Sequence, residues 1–362
     1  MISPVSGAGR PTKESKDVTV QTSTSAKTED RGAARALAGG VLFSLAFTAL
    51  IAWAGPRLDA IRLLPDTGYA WYYWRLPEPN FWTRLSAWGG YFLHQAFTFW
   101  TIWYAQSRGL KYTRGLHWIN RVALLGNAGF IGLHFVQTHL FYDGLAQDIS
   151  IFMSQGSVIV LLIWVLLMEN NRRGLVWGKK APISQETVQW ARKWHGYVFS
   201  WAAVLTFWYH PMVSTPGHLI GFVYMFFLLL QGSLFFTRAH VNKWWTVSLE
   251  GLVLVHGTLV AVGQGNGLWP MFFFGFAGLF VITQMHGLGL RLPVKLGILA
   301  AYLGGVLWVY NDRGWDKLNE IIRIPAIDYL GVAVLALLIS GGLWVARRLR
   351  RKPGAPVPAG AD

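Results

Sequence analysis

The sequence predicts an all-α protein, a polytopic membrane bundle of about ten helices with both ends in the cytoplasm. Three observations carry that prediction. Of the 362 residues 53% are hydrophobic and only 14% charged, where a soluble domain carries closer to a quarter charged residues. The apolar residues gather in ten runs, each near the roughly 20 residues that a bilayer span requires. The basic residues sit in alternate loops, as the positive-inside rule asks.

Taken in order, residues 1–33 are rich in Ser, Thr, Lys and Gly without an apolar stretch. They read as a disordered cytoplasmic tail rather than a cleaved signal. Spans are expected at about 34–54, 83–106, 115–141, 150–168, 188–210, 216–237, 244–263, 269–287, 294–310 and 327–346. In such runs a helix alone satisfies the backbone in lipid. Residues 34–346 thus form one transmembrane helical domain, and 347–362 a basic cytoplasmic tail. The long connection 55–82 holds Pro56, Pro65, Pro77 and Pro79 with Trp71, Tyr72, Tyr73, Trp74 and Trp82. It is expected as an aromatic collar on the outer surface.

The loops set the orientation. Those assigned inside hold Arg108, Lys111 and Arg114, then Arg172, Arg173, Lys179, Lys180, Arg192 and Lys193, then Arg238 and Lys243, then Arg291 and Lys295. The opposite loops hold Asp143 and Asp148, no charge, or the mixed set 311–328, in which Asp328 is counted. The formal charge of +15 therefore reports topology in a bilayer, not nucleic-acid binding. The expected setting is the cytoplasmic membrane of a bacterium. The 20 Trp and 13 Tyr suit aromatic belts at the headgroups. The chain has no Cys, which excludes disulfides, thiolate metal sites and covalently attached haem.

Ten histidines carry the functional reading, because ionisable groups inside a bilayer are costly. The spans place His117, His195, His240 and His286 at inner ends, and His134, His139, His210 and His218 at outer ends. His94 and His256 lie near the middle. Span 5 bears two of them, in Trp194-His195-Gly196 and Tyr209-His210-Pro211, fifteen positions apart. On one helix that separation is roughly 22 Å along the axis and about 60° around it. One helix thus offers imidazoles to two sites stacked across the membrane.

This spacing, with fourteen residues intervening, resembles the two-haem membrane cytochromes, such as the cytochrome b of quinol-oxidising complexes and the ferric-reductase-like proteins. The resemblance covers one helix and its neighbours. It implies haem b, an inner haem on His195 and an outer one on His210, with His286, His256, His134 or His94 as further cofactor-binding candidates. A quinol or another membrane redox partner would follow, and the activity would be that of an oxidoreductase. Those families use a second helix of the same spacing. Here His240 and His256 are sixteen apart, which on a single helix turns them by about 160°. Gly196, Gly257 and Gly287 follow histidines directly, where a flat macrocycle or a neighbouring helix can approach closely. Gln95, Asn127, Gln137 and Gln231 are candidates to orient ligand imidazoles.

Two other readings compete. His134, His139, His210 and His218 with Asp143 form a donor set suited to iron or zinc at the outer face, as in an enzyme acting on a lipid or isoprenoid. Against it, His134 and His139 are five positions apart, about 140° around a helix. Glu250, an acid inside span 7, is expected to relay protons or to pair with Arg121; with the histidines it also suits a proton-coupled transporter.

Overall fold

The computed structural model describes residues 31–65, 75–265 and 267–350. The two tails and Trp71 to Trp74 of the expected collar lie largely or wholly outside the described residues. The fold is all-α. Its helices are α1 (Gly32–Ala54), α2 (Phe81–Ser107), α3 (Trp118–Phe141), α4 (Ile151–Arg173) and α5 (Gln185–Tyr209). They continue with α6 (Pro216–Ser233), α7 (Lys243–Gly263), α8 (Trp269–Ile282), α9 (Leu292–Arg313) and α10 (Glu320–Arg350). Among the described residues, eight of these, α8 with its following turn included, are long and apolar enough to cross a membrane. The other two are long enough but polar in part. α2 carries His94, Gln95, Thr98 and Thr101 on a buried side, and α5 opens on Gln185, Glu186, Arg192 and Lys193.

Local chemistry starts the helices where the sequence supplies a capping side chain. Asn80 caps α2 in a reciprocal box with Thr83, Ser150 caps α4, Ser184 caps α5, and Asn242 caps α7. Each satisfies N–H groups that have no partner inside the helix. Thr215 caps α6 ahead of Pro216, and its hydroxyl receives the His218 N–H. That cap sets a histidine in the first turn of α6.

α5 is the axis of the bundle, packed against α2, α4, α6 and α10. Phe207, Trp208 and Tyr209 at its end are fully buried and join Phe222, Phe226 and Leu229 of α6 in the largest core cluster. A second cluster joins α4, α8 and α10 through Leu166, Leu167, Leu279 and Val332. α9 lies at the edge and buries only Val306 and Tyr310.

Two charged residues move relative to their expected places. Arg173 ends α4 and is buried, not a solvated loop residue. Asp328 lies inside α10 and is 2% exposed, because that helix begins at Glu320, seven residues ahead of the expected span. Arg173 sits on the end of an apolar helix, where a hydropathy window trims the span too early.

Candidate functional site

One end of α5 brings His195 against His240, with ring centroids 6.1 Å apart and planes at 45°. His195 Nδ1 lies 2.5 Å from the Arg192 carbonyl, and His240 Nδ1 lies 2.9 Å from the Gln231 carbonyl. A neutral imidazole that donates from Nδ1 carries its lone pair on Nε2. Both rings are therefore held in the tautomer that binds a metal through Nε2. Gln231 holds the His240 backbone as well as its ring. Its side chain donates to the His240 carbonyl at 3.0 Å and accepts from Trp245 Nε1 at 2.7 Å.

His240 does not belong to a helix. It lies in the turn between α6 and α7, which starts only at Lys243. The rotation expected from its sixteen-residue offset to His256 assumed one continuous helix, so it does not apply. The turn is pinned to the α2–α3 connection: Thr113 N–H donates to the Phe236 carbonyl and Arg238 N–H to the Thr113 carbonyl.

The opposite end of α5 brings His210 against His218, with centroids 5.6 Å apart and planes at 80°. His210 Nδ1 donates to the Thr206 carbonyl at 2.9 Å. His218 Nδ1 lies 2.7 Å from Thr215 Oγ1, the same hydroxyl that caps α6. His256 of α7 reaches the same region, close to both rings, and hydrogen-bonds the Gly217 carbonyl. A Cβ placed at Gly221 would stand 3.0 Å from His256 Nε2, so a glycine there lets α7 approach.

Between the two pairs His94 is 0% exposed and fully engaged. Its Nδ1 accepts from Trp208 Nε1 at 3.2 Å, and its Nε2 lies 2.7 Å from Asn127 Oδ1. Asn127 donates in turn to Ser233 Oγ at 2.7 Å, which donates to the Leu229 carbonyl. The ring stacks on Phe130 at 4.2 Å. His134 is also buried, with Nδ1 3.0 Å from Gln137 Oε1 and Nε2 2.8 Å from the His210 carbonyl. It touches the outer pair through backbone rather than through a ring. Of the four candidate orienting amides, Asn127, Gln137 and Gln231 each meet a histidine, and Gln95 meets Thr98.

The remaining candidates lie apart. His286 packs against Trp177 at 6.0 Å, on the α4–α5 connection. His139 donates from Nδ1 to the Phe135 carbonyl at 2.8 Å and leans on that ring. Asp143 accepts from the Gly144 N–H at 2.7 Å, and burial pushes its carboxyl up to about 6. Among the described residues no group of three or more His, Asp or Glu side chains is placed to hold a metal ion. His134, His139, His210, His218 and Asp143 therefore do not assemble the outer iron or zinc centre. The physical reason is that the His134 nitrogens are spent on Gln137 and the His210 carbonyl, while His139 turns away around α3.

Glu250 pairs with Arg173, not with Arg121. Arg173 Nη1 lies 3.0 Å from Oε1 and 2.8 Å from Oε2, while Arg121 is exposed. Sequence reading overlooked Arg173 because a basic residue at the end of an apolar run is read as a topology marker. No protein-family model matches the chain, and neither a curated protein nor a solved structure matches it.

Proposed function

We propose that the chain is a b-type cytochrome of the bacterial cytoplasmic membrane, carrying electrons within or across it, with His195 and His240 holding one haem and His210 and His218 another. The observation that carries this reading is the pair of neighbouring imidazoles at each end of α5. Two neutral imidazoles lying close together, each held through Nδ1, are a nitrogen donor pair that would suit a haem iron. The ring centroids lie 6.1 and 5.6 Å apart. Such a site takes two protein ligands, so the missing three-ligand group has no bearing on it. Haem held here would supply one-electron transfer.

The chain's own part is to hold and orient. The Arg192, Gln231 and Thr206 carbonyls and the Thr215 hydroxyl take the Nδ1 side of the four rings, which fixes each plane and raises ligand basicity. A quinol is the fitting lipid-soluble electron donor for a protein of this composition. The orientation belongs to the same proposal: ten spans, with both ends and the Lys179–Lys180 loop inside. Since the chain has no Cys, Lys317→Cys should react with an impermeant thiol reagent from outside and Lys180→Cys should not. The opposite pattern inverts the orientation. For the cofactor, purified protein reduced with dithionite should show the sharp α-band of low-spin haem b. A folded preparation without Soret absorbance sinks the proposal.

A further inference from the structure

α1 and α3 both pack on α6. At one end the start of α1 is tied to the connection ahead of α3, where the Ala33 N–H donates to the Arg114 carbonyl at 3.1 Å. Toward the other end Phe47 of α1 meets Phe135 of α3 edge to face, with 5.6 Å between centroids. Between these two closures the helices part and leave a crevice of about 230 Å³. Phe226, Leu229 and Leu230 of α6 form its floor, with Gly39 of α1 and Ala128 of α3 on its walls. The stretch of α1 that lines it, from Ala36 to Ser44, is about 12 Å long.

The lining suits hydrocarbon. The polar side chains that reach the crevice are already engaged. Ser44 Oγ donates to the Gly40 carbonyl at 2.7 Å, Asn127 donates to Ser233 Oγ, and Ser233 to the Leu229 carbonyl. A polar headgroup or a quinone ring placed there would lose its hydrogen bonds to water without new ones in return. A hydrocarbon chain has none to lose. The crevice opens beside Phe43 and Leu125, which are 38% and 75% exposed, so in a bilayer its mouth faces lipid. Arg35 and Arg121 lie one turn before the lining. They stand four residues ahead of Gly39 and of Leu125, on the same helix faces. Both are exposed, and the described ion pairs involve neither. Two such cations at the head of an apolar crevice match an anionic headgroup with a chain behind it.

We infer that this crevice holds one acyl chain of an anionic phospholipid whose phosphate meets Arg35 and Arg121. The inference is independent of the histidine pairs. It is tested on the full-length chain in nanodiscs of equal parts phosphatidylglycerol and phosphatidylcholine. The lipid kept after transfer to detergent is counted by native mass spectrometry. Wild type should keep one phosphatidylglycerol in preference to phosphatidylcholine. An added Cβ at Gly39 meets nothing within 4 Å, so Gly39→Leu enters open space. It and Ala128→Leu should each cut retention at least tenfold by filling the crevice. Gly129→Leu, where an added Cβ is as free but outside the lining, should behave as wild type. Arg35→Gln combined with Arg121→Gln should keep a lipid but lose the preference for phosphatidylglycerol. A wild type that keeps no lipid, or keeps the two in the bilayer ratio, overturns the site. So does retention unchanged in the filled variants, or lost in Gly129→Leu as well. If the filled variants do not fold, an unchanged preference in the arginine double variant overturns it equally.

Discussion

At the centre of the bundle His94 is sealed from solvent and both of its ring nitrogens are in hydrogen bonds, to Trp208 and Asn127. At the ends of α5, His195 and His240, and likewise His210 and His218, are half-buried, anchored through Nδ1, and turned ring against ring. The same side chain thus serves two purposes. A histidine that closes a hydrogen-bond chain on both sides ties helices together, here α5 to α2, α3 and α6. A histidine held through Nδ1 with a second imidazole beside it is what the proposed function reads as half of a ligand pair. What separates the two kinds is that second imidazole.

The comparison breaks first at the pairs. Replacing either member of one pair should remove the same pigment: His195→Leu and His240→Leu one half, His210→Leu and His218→Leu the other. His94→Leu and His256→Leu should keep both. Spectra of the reduced variants, scaled to protein, check this. Loss of pigment in His94→Leu with retention in His240→Leu would reverse the assignment.

Next in size is the ion pair, a third way of burying a polar group. Glu250→Leu leaves Arg173 without its carboxylate, and breaking a buried pair this way costs about 3–5 kcal/mol. The unfolding midpoint in denaturant should fall accordingly with the spectrum unchanged. The hydrogen-bonded chain at the centre is worth less. His94→Leu strips partners from Trp208 and Asn127, which costs about 1–3 kcal/mol by the same measurement.

The smallest effect belongs to Asp143, outside the helices. Burial raises its carboxyl from 3.8 to about 6, so the folded chain binds that proton more tightly than the unfolded one. Its contribution to stability is greatest at low pH and is lost as pH rises from about 4 to about 6. Asp143→Asn should flatten that part of a stability–pH profile. An unchanged slope would place the titrating group elsewhere.

Much of the architecture was legible because a continuous apolar run admits one structure in lipid: among the described residues eight helices are long and apolar enough to span. The separation of His195 and His210 along α5 followed from helical rise. What a spacing rule does not reach is the chain between helices. His240 falls in a turn, so a fixed rotation per residue misplaces it. His218 reads as one of five metal ligands because its tie to Thr215, three residues earlier, has no signature apart from an ordinary helix cap. Arg173 is a loop charge by hydropathy because a window average blurs the last turn of a helix, and Asp328 because α10 begins seven residues ahead of the expected span. The orienting amides Asn127, Gln137 and Gln231 were visible as polar residues in apolar surroundings. Their partners came only with the packing of α2, α3 and α6.

The pairs also differ in where their members fall along the chain, and that orders their maturation. The His210–His218 pair is complete once synthesis has passed residue 218, when α6 has only begun. The His195–His240 pair has to wait for residue 240, twenty-two residues later. Because chains fold from the amino end as they are made, one end of α5 acquires its second imidazole while the other still lacks a companion. A nascent chain halted between these points would own one finished pair.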